Sequence, residues 1–223
     1  MDIRRRLMIG LGLATAVAAS SKNASAANSQ LPGHPQPEPQ DAWLDEGGKR
    51  HRIVFDTLSA NGLGAGMNFA KNFIEGNREA YGIAATELSV VMILRHWATA
   101  MAFNDQIWEK YGDYLVDRTK TFDPRTKATP RVNLYNTDLS SYELPNGKVT
   151  LPDLSKQGVR FAVCAMAARN MSIGIAKNLK VDADSVLHEL EANLAASAAI
   201  MVPAGILTVN RAQEHGYTFS YCG

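Results

Sequence analysis

The sequence predicts an α/β fold: a five-stranded, mostly parallel sheet, doubly wound, with helices on both faces. Three observations carry this. Leu88–Leu94 (LSVVMIL) is an unbroken apolar run, as in a strand buried on both faces. Short apolar runs alternate with stretches of helical periodicity from residue 52 to the end, the pattern of parallel strands joined by crossover helices. The chain has 223 residues, 46% of them hydrophobic and 20% charged, ordinary globular composition for one core.

The elements follow in order. Ile53–Asp56 is a short strand, closed by turn residues Ser59, Asn61 and Gly62. Ala65, Phe69, Phe73 and Ile74 recur at helical spacing, predicting a helix over 65–80. Leu88–Leu94 is the second strand. A helical region follows over 98–115, with a break at Asn104-Asp105. Residues 117–150 are polar and rich in turn signals, among them Asp123-Pro124 and Asn146-Gly147, and read as a functional or mobile insert. A short helix over 151–158 leads into a strand over 159–164 and a helix over 165–178. Asp182 or Asp184 caps a further helix, in which Val186, Leu187, Leu190 and Leu194 share a face. A strand over 199–202, a helix over 205–215 and a strand over 217–221 complete a flavodoxin-like count of five strands.

The N-terminus has a separate meaning. Arg4-Arg5-Arg6, the apolar run Leu7–Ala19 and Ala24-Ser25-Ala26 are the basic region, apolar region and cleavage site of an export signal over residues 1–26. The run falls short of the roughly 18 residues of a membrane span. Paired arginines before a Gly/Ala-rich run fit the twin-arginine route to the periplasm; the alternative is an ordinary secretory signal. Without residues 1–26 the chain keeps 19 basic and 21 acidic residues, near −2, so no basic excess points to nucleic acid. Residues 27–48, rich in Pro, Asn, Gln and Gly, read as a disordered tether in which Ala42-Trp43-Leu44 could dock; the folded domain is expected over 49–223.

Cys164 stands at a strand-to-helix junction, on the rim where such sheets gather ligands. Unpaired amides and the helix dipole there favour a thiolate, making Cys164 a candidate nucleophile or sulfur carrier. The plain alternative is a small apolar filler. Cys222, after the last strand, is expected to be exposed and mobile. It is a candidate resolving thiol, disulfide partner of Cys164 or link between chains.

Other candidates share the rim. Asn61-Gly62-Leu63-Gly64-Ala65-Gly66 has the spacing GxGxG, which does not match the dinucleotide fingerprint GxGxxG. It reads as a flexible loop whose amides, with Asn61, Gly62 and Gly64, face the Cys164 pocket and could hold a small anion such as a sulfur oxyanion. His96 reads as a general base or ligand contact, or as a hydrogen-bonded structural histidine. No His, Cys, Asp or Glu spacing suits a metal, and no motif calls for a cofactor. Met166 and Met171 read as core filler.

The block Gly158-Val159-Arg160-Phe161-Ala162-Val163-Cys164, with Ala167-Ala168-Arg169, resembles the DsrE/DsrF-like sulfur-relay family. So do Val202-Pro203-Ala204-Gly205-Ile206 and Arg211-Ala212-Gln213-Glu214-His215-Gly216-Tyr217. The resemblance covers about residues 50–221. It implies a five-stranded α/β fold, a homo-oligomer, and a cysteine at position 164 that carries a persulfide between a donor and an acceptor protein. Relay members are typically shorter and cytoplasmic, so the export signal and the 117–150 insert set this chain apart. The expected function is a periplasmic thiol or persulfide carrier using Cys164. The alternative is a non-catalytic small-ligand-binding or assembly module in which Cys164 is structural.

Overall fold

The computed structural model describes residues 38–48, 50–139 and 141–223. The expected export signal and the first part of the tether lie outside them. Five strands form one all-parallel sheet: β1 (His51–Thr57), β2 (Leu88–Leu94), β3 (Arg160–Cys164), β4 (Ala199–Val202) and β5 (Thr218–Cys222), in the order β4-β3-β2-β1-β5. The helices are α1 (Ala60–Tyr81), α2 (Asp105–Thr119), α3 (Leu151–Lys156), α4 (Ala165–Leu179), α5 (Ala183–Ala192) and α6 (Gly205–Glu214). Strand order reverses between β1 and β5: α1 carries the chain from β1 to β2 on one side, and α6 returns it from β4 to β5 on the other. The carboxyl ends of β1 and β5 therefore form the switch point of the sheet.

Every residue of β2, the central strand, is buried, as its unbroken apolar run requires. The residues alternate between two cores. Val90, Met92 and Leu94 join Phe55, Phe161, Leu63, Met67 and Trp108 in the larger core, which includes residues of α1, α2, α4 and α5. Val91 and Ile93 join Val54, Ala162, Val202, Val209 and Ala212 beneath α6. Trp108, fully buried, donates its indole N–H to the Ala100 carbonyl at 3.2 Å, so the ring is buried without an orphaned donor.

The break expected at Asn104-Asp105 is a helix start. Residues His96–Ala102 form a 3-10 helix, and the Asn104 side chain accepts from the Ile107 N–H to cap α2. Thr150 and Asp153 form a capping box on α3, and Asp182 caps α5.

Two expectations differ. Pro39–Asp45, placed in a disordered tether, is a 3-10 helix docked on the α6 side. Leu44 is fully buried there and its carbonyl accepts from the Tyr217 hydroxyl at 2.7 Å. Arg160 lies over the Trp43 ring, and Arg211 binds Asp41 at 2.6 Å. The insert is packed onto the domain. The buried Asn133 side chain donates to the carbonyls of Met101 and Phe103 at 2.8 and 2.7 Å, and Leu134 and Tyr135 are buried beside it. Asp105 accepts from the Asn133 amide, Asn136 and Thr137. These bonds satisfy polar groups that a polar segment brings into the interior.

Helix α1 begins five residues earlier than its apolar spacing suggests. Ser59 caps it, accepting from the Gly62 N–H at 2.9 Å. Residues 60–66 are thus helix rather than loop, and their glycines serve close packing. A methyl at Gly62 would collide with the carbonyl oxygens of Cys222 and Gly223. One at Gly64 would fall 2.6 Å from the Tyr135 hydroxyl, and one at Gly66 3.1 Å from Met92. Gly76, in the same helix, has open space around it. Gly62→Ala is therefore expected to destabilise the fold by about 1–3 kcal/mol. Gly76→Ala should stabilise it by about 0.5–1 kcal/mol through helix propensity alone. Urea unfolding of both variants checks the opposite signs.

Candidate functional site

The carboxyl rim carries two separate sites, one on each face of the sheet. On the α6 face, Cys164 follows Ala162 by two residues and shares its side. It is the N-cap of α4, and no side chain completes that cap. The residue is 7% exposed. α6, which starts beyond the neighbouring β4, also has no side-chain cap, whereas α1, α2, α3 and α5 all do. Both uncapped helices leave free amide donors on the Cys164 side of the rim.

Next to Cys164, at the end of β2, stands Arg95. It forks onto Asp56 of β1, with Nε and Nη2 at 2.6 and 2.9 Å from the two carboxylate oxygens. The Asp56 side chain is only 3% exposed, so this is a buried, bidentate pair. Gly205 lets α6 start directly over the Arg95 stem: a methyl there would lie 2.5 Å from Arg95 Cβ. The Asp56 hydrogen bond holds the Arg95 pKa above its ordinary value, with smaller contributions from Asp56, Tyr221 and Cys164 as charges. Sequence reading passed over this pair. Its signal was an aspartate ending an apolar strand and an arginine just past the end of the next.

On the opposite face, Cys222 packs under α1, and a methyl on Gly66 would lie 3.4 Å from its sulfur. Cys222 is in β5, paired with Thr57, and 5% exposed, not the mobile tail residue expected. β3 and β5 are separated by β2 and β1. Three strand spacings put the two cysteines about 14 Å apart, on opposite faces. A disulfide needs Cα atoms within about 7 Å. Both thiols are free, and the structure does not bring Cys222 to Cys164.

Asn61 and Gly62 also lie on the far side of the sheet from Cys164. They form the first turn of α1 and, with Cys222 and Gly223, line a groove of about 1130 Å³ bounded by residues 141–148 of the insert. Phe69 and Tyr221, both about half exposed, add aromatic surface to it. A second hollow of about 290 Å³ lies between the same helix start and Thr119–Phe122. Asn61, Glu143, Leu144 and Pro145 line both. Gly64 lines neither and packs on Tyr135 and Pro145. His96 is exposed, with a left-handed backbone (φ 56°) and its ring stacked on Trp97 at 4.4 Å; it lines neither cavity. So Asn61, Gly62 and Cys222 meet, while Cys164 and His96 stand apart from them. Tyr135, inside the insert, was missed because a single apolar pair, Leu134-Tyr135, is hidden in a polar stretch.

Among the described residues no cluster of side chains could hold a metal, and no helix is long and apolar enough to cross a membrane. No family model, curated protein or solved structure matches the chain.

Burial, and then the nearby Asp56 charge, push the Cys222 thiol pKa up, against a lowering hydrogen bond from Ser220. A raised thiol pKa means the folded state holds the proton more tightly than the unfolded chain. This contribution to stability is whole below the ordinary thiol pKa and is lost as pH rises through the folded value. Alkylation of Cys222 by iodoacetamide, followed by peptide mapping, should be slow in the folded protein and still climbing above pH 9. A rate already level at pH 9 would contradict this.

Proposed function

We propose that the chain is a small-ligand-binding α/β module that takes its ligand at the β1/β5 switch point. One observation carries this reading: the groove and the hollow both open on the first turn of α1, where doubly wound sheets place ligands. The packed insert supplies their outer walls, which accounts for its length. A periplasmic location, reached through the export signal read in residues 1–26, is part of this proposal. Native mass spectrometry of the mature chain, isolated from that compartment, should show a non-covalent small-molecule adduct. Ala65→Trp, which fills the groove from α1, should remove it. An adduct that survives this substitution, or none at all, contradicts the reading.

A second reading is a thiol or persulfide carrier on Cys164, the role implied by the resemblance to the DsrE/DsrF-like family. What favours it is the position of Cys164 at an uncapped helix start, in the field of Arg95. Sulfur would pass from a donor protein to an acceptor, and a homo-oligomer is part of this proposal. Cys164 is buried, so loading requires a partner that opens the rim. Cys164→Ser should abolish a reductant-labile gain of about 32 Da, one sulfur atom on the thiolate, in the intact mass. Unchanged loading ends this reading.

A further inference from the structure

We infer that the groove at the start of α1 takes a flat aromatic molecule whose polar end is zwitterionic, carrying an ammonium and a carboxylate. This deepens the ligand-binding reading and rests on it; Cys164 has no part in it.

The first observation is a slot for a ring. Gly62, Ala65 and Phe69 follow one another at spacings of three and four, so they form one stripe along α1, and all three line the groove. Two small residues leave a shallow floor that ends at an aromatic side chain. Phe69 is 48% exposed, and Tyr221, which also lines the groove, is 57% exposed. Aromatic surface left half in water inside a concavity gains by being covered, and another planar ring covers it well. Leu144 and Pro145 of the insert supply apolar surface on the other wall.

The protein's own packing holds that wall. A methyl on Gly64 of α1 would come 2.7 Å from Pro145 Cγ, and one on Gly147 would collide with the Asn68 side chain. Between these two contacts, the buried Asn146 side chain donates to the Val149 carbonyl at 2.6 Å and closes the turn. Gly147 has φ 60°, a backbone that glycine adopts without strain. The slot is therefore preformed, and binding does not have to order a loop.

The second observation is charge. Glu143 and Lys148 are the charged side chains of the lining. Both are exposed, and neither forms an ion pair with another described residue. Elsewhere in the insert such groups are engaged: Asp123 accepts from the Tyr142 hydroxyl, and Arg131 binds Asp113 of α2. A ligand with a single charge meets one attraction and one repulsion on this wall. A ligand with both charges meets two attractions. The ring lies along the α1 stripe and the charged end at the insert.

Saturation-transfer NMR of the mature chain tests this with four matched probes: L-phenylalanine, phenethylamine, 3-phenylpropanoate and L-cyclohexylalanine. L-Phenylalanine should bind saturably, with its ring protons receiving the strongest saturation. Phenethylamine and 3-phenylpropanoate, each lacking one charge, should bind about two- to fivefold more weakly, as roughly expected for one exposed ion pair. L-Cyclohexylalanine, with the same charges on a puckered ring, should bind about three- to tenfold more weakly. Phe69→Leu should remove the advantage of the planar ring. Tyr81→Leu, which alters an exposed ring at the far end of α1 outside the groove, should change nothing. Lys148→Gln should remove the advantage of L-phenylalanine over phenethylamine, and Glu143→Gln its advantage over 3-phenylpropanoate. All four substituted side chains are exposed, so the variants should melt with the parent. Equal affinity for L-cyclohexylalanine and L-phenylalanine, or a singly charged probe binding as tightly as L-phenylalanine, overturns the inference. So does binding of none of the four up to its solubility. A native adduct that Ala65→Trp removes then leaves the ligand-binding reading standing without this one; with no adduct, both fall.

Discussion

The close approach of α1 to the ends of β1 and β5 is the constraint on which the rest of the structure depends. At Gly62 there is no room for a methyl group, because the carbonyl oxygens of Cys222 and Gly223 occupy that space. Gly66, one turn on, lets the helix lie against Met92, Thr57 and Cys222 in the same way. The contact fixes the last strand beside the first and buries Cys222. It also turns the start of α1 towards the insert. A longer side chain at position 62 would lift the helix, and the groove and hollow are bounded by that helix start.

The other face is organised by charge. Asp56 is a carboxylate inside the sheet, and Arg95 neutralises it with two parallel hydrogen bonds. Removing one partner of a buried pair leaves an uncompensated charge and costs about 3–5 kcal/mol. Gly205 brings α6 down over the arginine stem, so the pair also sets where that helix begins. Cys164 sits one strand further along. The two faces of one rim thus differ: a groove walled by the insert at the start of α1, and a thiol beside a fixed ion pair under α6.

Much of the fold was legible. The apolar run of β2 announced burial on both faces, and Asn104 and Asp182 marked helix starts. The site was less so, for specific reasons. Alternating glycines are the same letters whether they free a loop or admit a neighbour, and only the approach of distant segments at Gly223 and Tyr135 distinguishes these. Ser59 was read as a turn residue although serine before a helix is also a cap. Cys222 was placed near Cys164 because parallel strands share a rim; strand order, which separates them, arises from long-range pairing. Composition left the insert either functional or mobile; it is packed because the Asn133 side chain supplies partners that its own backbone lacks, a pairing no local pattern announces.

Amide chemical-shift mapping of the folded domain, with and without the small-molecule extract of its own compartment, tests most directly whether the start of α1 is the ligand end of the molecule. The account predicts shifts centred on Asn61, Gly62, Ala65 and the facing residues 141–148, with the α4 amides after Cys164 unmoved. Shifts confined to Ala165–Ala167, or spread evenly over the surface lysines and arginines, would contradict it.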